Sequence, residues 1–150
     1  MTLNRLIAGG TTLARGIFAA ALVVLFCAGS LCAEESFPFD QELVLDAPPM
    51  RPGKRMPVLT VEPSGNARID LWCKTITAQV EISDAAVKIE AGPLPDELPA
   101  MQSAGQCAPE RLQADEELLS TLTQATGWRR EGNAIVLEGS RALKFRTSDH

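Results

Sequence analysis

With 150 residues, 45% of them hydrophobic, and a net charge of −5, the chain is long enough for one domain with a modest core. The acidic balance disfavours nucleic-acid binding, whose affinity comes largely from Lys and Arg on phosphates. The only histidine is His150, the last residue, which argues against Ser/His/Asp and Cys/His catalysis and leaves zinc-type coordination short of donors.

The chain starts weakly basic, with Arg5 and Arg15, and runs into the apolar stretch IFAAALVVLFCA at 17–28. Small residues and the acidic pair Glu34-Glu35 follow. A basic start, a short apolar core and small residues before charge make residues 1–33 a secretory signal peptide. Cleavage is expected after Ser30 or Ala33, leaving residues 34–150 as the folded domain, of net charge −7. The alternative is an uncleaved anchor over residues 16–33, which carry no charge and would be the chain's one membrane contact. Lipidation fits poorly, because Phe26 precedes Cys27 and Leu31 precedes Cys32.

Pro38 makes residues 36–40 an extended lead-in. Strands are expected at 42–45, 56–62, 67–74, 76–82 and 86–91, because each is short, apolar or alternating, and bounded by turn residues. A Pro/Gly-rich loop at 47–54 separates the first two, and Pro63-Ser64-Gly65-Asn66 turns the chain after the second. On the third, Ile69, Leu71 and Cys73 share one face, which places Trp72 on the other. Residues 92–99 are broken by prolines, and 100–106 form an irregular stretch or short strand leading to Cys107.

A helix follows at 113–126, with Leu118, Leu119, Leu122 and Ala125 in one stripe of period 3.6. Gly127 is expected as its left-handed cap, and Trp128 turns back towards the apolar face. Two strands at 133–138 and 141–146, joined through Gly139-Ser140, complete the chain. The fold expected is α+β: a curved antiparallel sheet or partly open barrel of about seven strands, with one helix in the C-terminal half packed on it.

Cys73 and Cys107 are the pair clearly inside the folded part, 34 residues apart. Outside the cytoplasm two such cysteines usually form a disulfide; free or redox-active thiols are the alternative. Asp115-Glu116-Glu117 could hold a cation, but carboxylates early in a helix also complement its dipole. Arg129-Arg130 could grip an anion or cover the helix C-terminus. Trp72 could line a concave apolar face or a partner surface, or pack under the helix, and Trp128 is a second candidate for such a surface. No glycine-rich phosphate loop and no paired-carboxylate signal stands out, so no cofactor, metal or catalytic residue is assigned.

The order of these pieces resembles a known family. A strand runs Ala67-Arg68-Ile69-Asp70-Leu71-Trp72-Cys73, and Met101-Gln102-Ser103-Ala104-Gly105-Gln106 reaches Cys107. Then come Glu116-Glu117-Leu118-Leu119, Trp128, Ile135-Val136-Leu137-Glu138-Gly139 and Leu143-Lys144-Phe145. This is similar to the META domain of HslJ-like heat-shock proteins of the bacterial envelope, although Trp72 and Lys74 flank Cys73 where that family commonly has Gly and Asn. The resemblance implies an α+β fold with a curved antiparallel sheet and a packed helix, a Cys73–Cys107 bond, a periplasmic or otherwise exported location and a non-enzymatic role in envelope stress through protein contacts. Two other roles are compatible with the sequence. One is a carrier or sensor of a small apolar ligand such as a lipid tail, held inside the curved sheet. The other is a secreted hydrolase inhibitor acting through loop 47–54 or 92–99.

Overall fold

The computed structural model describes residues 36–96 and 107–148. Expectations for residues 1–33, for 97–106 and for His150 lie outside them. Among the described residues there are eight strands and one helix. They are β1 (Leu43–Leu45), β2 (Val58–Val61), β3 (Asn66–Asp70), β4 (Thr75–Ser83), β5 (Ala86–Ala91), α1 (Pro109–Thr123), β6 (Gly127–Glu131), β7 (Ala134–Glu138) and β8 (Leu143–Thr147). Every strand pairs antiparallel with its neighbour in sequence, and β8 returns to β1 through Leu43↔Thr147 and Leu45↔Phe145, closing a barrel. The α+β class therefore holds, with the sheet fully closed.

Period-2 alternation builds the interior. Leu43, Leu59, Ile69, Ile135, Leu137 and Phe145 point inwards and are at most 1% exposed. On β7 four consecutive residues, Ala134–Leu137, are buried. Val136 owes this to its cross-strand neighbours: Arg129 and Lys144 sit beside it in register, and their long side chains cover the outer face.

The barrel is least regular between β5 and β6. Among the described residues they share one registered pair, Ala86↔Gly127, supported by Val87 N–H to Thr126 O (3.1 Å) and Trp128 N–H to Ala85 O (2.8 Å). α1 lies between these strands in sequence and packs alongside β5. The lead-in segment covers the barrel near Trp128. The Phe37 ring meets Trp128 edge-on at 5.2 Å, Arg130 donates to Ser36 O (2.9 Å), and Asp40 N–H reaches Val61 O (2.8 Å).

Several local expectations are corrected. β6 was not foreseen, because Gly127-Trp128-Arg129-Arg130-Glu131 holds one apolar side chain and no visible alternation. Gly127 is consequently a strand residue, not a left-handed cap; the helix ends at Thr123 with Gln124 as its cap. α1 starts at Pro109, four residues before the expected 113, since proline's fixed φ suits a first helical position. β3 stops at Asp70, so the alternation assumed for 67–74 ends there. Leu71, Trp72 and Cys73 are all buried in the connection to β4.

Candidate functional site

The buried stripe of α1 is Arg111, Asp115, Leu118 and Leu122. Half of it is charged, and neither charge meets the other. Arg111, 2% exposed, donates to Trp72 O (2.6 Å) and Met50 O (3.0 Å) and lies over the Trp72 ring, 5.9 Å from its centre. Asp115, fully buried, accepts the backbone N–H groups of Cys73 (3.1 Å) and Lys74 (2.9 Å). The β3–β4 connection is not strand, so its peptide groups need other partners once covered; the helix supplies them. Burial pushes the Asp115 carboxyl above its ordinary range, against the opposing pull of the N–H groups of Lys74, Cys73 and Trp72.

Next to this pair, Arg55 donates to Asp70 Oδ1 (2.7 Å) and Thr75 Oγ1 (2.8 Å), spanning the ends of β3 and β4. Burial of Asp70 acts to raise its carboxyl. The hydrogen bonds from Arg68 and Thr75, with the charges of Arg68 and Arg55, outweigh that and hold it low. The sulfurs of Cys73 and Cys107 lie within bonding distance, with Cα atoms 5.8 Å apart. The chain is thus tied to the β3–β4 connection just before α1 begins. Gly53 passes so close to the Arg111 guanidinium that a Cβ there would collide with it. The exposed loop offered as an inhibitory segment, 47–54, is held to the helix at Met50 O, while Pro48, Pro49, Arg51, Pro52 and Lys54 stay exposed.

A cleft of about 280 Å³ opens beside this corner, between α1 and the facing ends of β1 and β8. Trp72, Leu118 and Leu143 contribute to its floor, with Ala47, Ala114 and Ala142 in its walls. Asp46, Glu117, Arg141 and Lys144 form its rim. A second hollow, of about 590 Å³, lies on the outer face of β2–β5 and is lined mainly by polar side chains such as Thr60, Asn66, Arg68 and Gln79. Among the described residues no group of three or more His, Cys, Asp or Glu is arranged to hold a metal ion.

The residues singled out from sequence divide clearly. Cys73 and Cys107 are brought together. Trp72 and Trp128 are each 5% exposed and are kept apart, one under α1 and the other inside the barrel against Phe37. Neither offers an open aromatic surface; Trp72 reaches the cleft only as part of its floor. Asp115 is no surface carboxylate, whereas Glu116 and Glu117 are exposed. Arg129 pairs with Glu131 and Glu138 on the outer face, away from the helix carbonyls expected for it. Core side chains such as Leu43, Ile69, Ile135 and Phe145 pack together inside the sheet, where the apolar-ligand reading looks for its space. Arg111 was missed; its signal was an Arg four residues before Asp115 and seven before Leu118, on the stripe that faces the barrel.

The molecule thus belongs among small closed antiparallel barrels with a single helix inserted between strands. No family model and no curated protein matches the chain. Two structures solved by NMR are similar to it. One, from Burkholderia xenovorans, is 19% identical over 75% of this chain and 84% of its own, with a TM-score of 0.52. The other is 15% identical over 71% of this chain and 88% of its own, with a TM-score of 0.50. At these identities the likeness is one of fold. Among the described residues no helix is long and apolar enough to cross a membrane.

Proposed function

We propose that the chain is a non-catalytic exported protein of the bacterial envelope, of the META/HslJ kind, supporting the envelope under stress through contacts with other proteins. The observation that carries this reading is the Cys73–Cys107 pair at the start of α1. Paired cysteines persist in oxidising compartments, and these two occupy the places that the order of motifs gives them. At the corner they tie, Arg111 and Asp115 bind backbone groups and hold the β3–β4 connection against α1. A rigid capped barrel with polar outer faces suits a binding module that must survive outside the cytoplasm.

The reading is tested by complementation. A strain lacking the gene should grow poorly under heat or oxidative challenge of the envelope. Wild-type protein should restore growth, and a version lacking residues 1–33 should not. Equal rescue by the leaderless version, or no defect in the deletion strain, would remove the proposal.

A further inference from the structure

We propose that the loop of residues 48–54, with Lys74 beside it, is a docking surface for an anionic lipid bilayer, a membrane contact separate from the candidate anchor at 16–33. The inference does not depend on the envelope-stress reading above. Three observations carry it. First, the cations that lack a carboxylate gather here. Arg68, Lys88, Arg129, Lys144 and Arg146 each pair with an Asp or Glu. Arg130 bonds Ser36 O, and Arg141 stands beside Glu116 and Glu117. Among the described residues Arg51, Lys54 and Lys74 make no ion pair; Arg51 and Lys54 are exposed, and Lys74 is partly so.

Second, one buried guanidinium fixes where they sit. Arg111 donates to Met50 O (3.0 Å), Arg55 O (3.5 Å) and Trp72 O (2.6 Å), so the chain near Arg51, Lys54 and Lys74 converges on a single point. Arg55 closes the group, reaching Cys73 O (3.5 Å) and Thr75 Oγ1 (2.8 Å) on either side of Lys74. A loop already held in this way loses little freedom on docking. The carboxylates of this corner leave it positive. Asp70 is engaged by Arg55 and Arg68, and Asp115 is buried on backbone N–H groups. Glu110, next to Arg111, is the one acid in the first turn of α1.

Third, the backbone of the loop suits a headgroup layer better than a peptide. Pro48, Pro49 and Pro52 are exposed and carry no N–H, and the carbonyls of Met50 and Arg55 are already bonded by Arg111. Few backbone groups therefore lose water against lipid. An acidic peptide would find few N–H donors here for its own carbonyls. Lipid phosphates need only the cations, which attract them from several ångströms away. The acidic balance of the rest of the chain repels the same phosphates, and this orients the protein loop first.

The test is sedimentation of the processed, oxidised protein with sucrose-loaded vesicles at low salt. Vesicles of equal parts phosphatidylcholine and phosphatidylglycerol should carry it down, and phosphatidylcholine alone should not. Arg51→Gln, Lys54→Gln and Lys74→Gln should each lower the partition coefficient about fivefold, and added salt should lower it for the wild type. Arg129→Gln and Lys144→Gln, which remove cations already paired on another face, should each change it by less than about twofold. No sedimentation with the anionic vesicles, or as much with the neutral ones, would overturn the proposal. So would binding that the three loop variants leave unchanged, or that Arg129→Gln weakens equally. Displacement by inorganic phosphate beyond that by chloride at equal ionic strength would overturn it too, and would leave a small-anion site. Tighter binding of a polyglutamate peptide through the same three cations would also overturn it, and would make the loop a protein-docking surface.

Discussion

Two regions of this barrel are dense in charge, and they use it in opposite ways. On the outer face of β6–β8, Arg129 bridges Glu131 and Glu138, each at 2.6 Å, and Lys144 reaches Glu131 at 3.0 Å. All four side chains keep about 39–53% of their surface in water. Under α1, Arg111 and Asp115 are dry and bind peptide groups. Water already satisfies the exposed charges, so their pairing adds little, about 0–1 kcal/mol. The buried groups have replaced water as partners of the β3–β4 connection, so removing one strands its partners. The number of ion pairs says little about where this protein is vulnerable; the position of the backbone groups left without strand partners says more.

The comparison can be broken in order of expected effect, each time by urea denaturation. Reducing Cys73–Cys107, or replacing either cysteine by Ser, should cost up to roughly 3.8 kcal/mol by loop-closure entropy. Asp115→Ala and Arg111→Met should each cost about 3 kcal/mol, the first by orphaning the Cys73 and Lys74 N–H groups, the second by orphaning Trp72 O and Met50 O. Gly53→Ala should cost about 2 kcal/mol by displacing the Arg111 guanidinium. Arg129→Ala and Lys144→Ala should each cost less than about 1 kcal/mol, and less still at high salt. Surface variants as damaging as Asp115→Ala would dissolve the contrast.

Acid sharpens it further. Asp115 titrates above its ordinary range when folded, so the native state holds that proton longer than the unfolded chain does. Its term therefore lowers stability as pH rises from the ordinary carboxylate range through the raised value, and is constant above. Asp115→Asn should flatten that slope. Asp70 is shifted down, so its contribution is present above the ordinary carboxylate range and is lost as pH falls through the lowered value. Asp70→Asn should remove that acid loss. Denaturation curves across pH for both variants separate the two effects.

Much of this was legible in the chain. Strand positions followed from alternation in segments such as Ala86–Ala91 and Leu143–Thr147, where one face is core and the other water. The cysteine pair followed from compartment and number. What stayed hidden was not local. Nothing in Gly127–Glu131 marks a strand; it becomes one because β7 and the end of β5 offer it edges. Arg111 and Asp115 look like surface charge, because their partners are carbonyls and amides 39 and 42 residues away. The cleft is harder still to see, since it depends on three alanines from three separate segments meeting above Trp72.

The most direct test of the exported, disulfide-locked barrel is the intact mass of the protein recovered from the envelope fraction of its own cells, before and after reduction. The account predicts a chain that begins near Leu31 or Glu34 and gains two hydrogens at Cys73 and Cys107 on reduction. A chain that retains Met1, or one whose cysteines are already reduced, would contradict it.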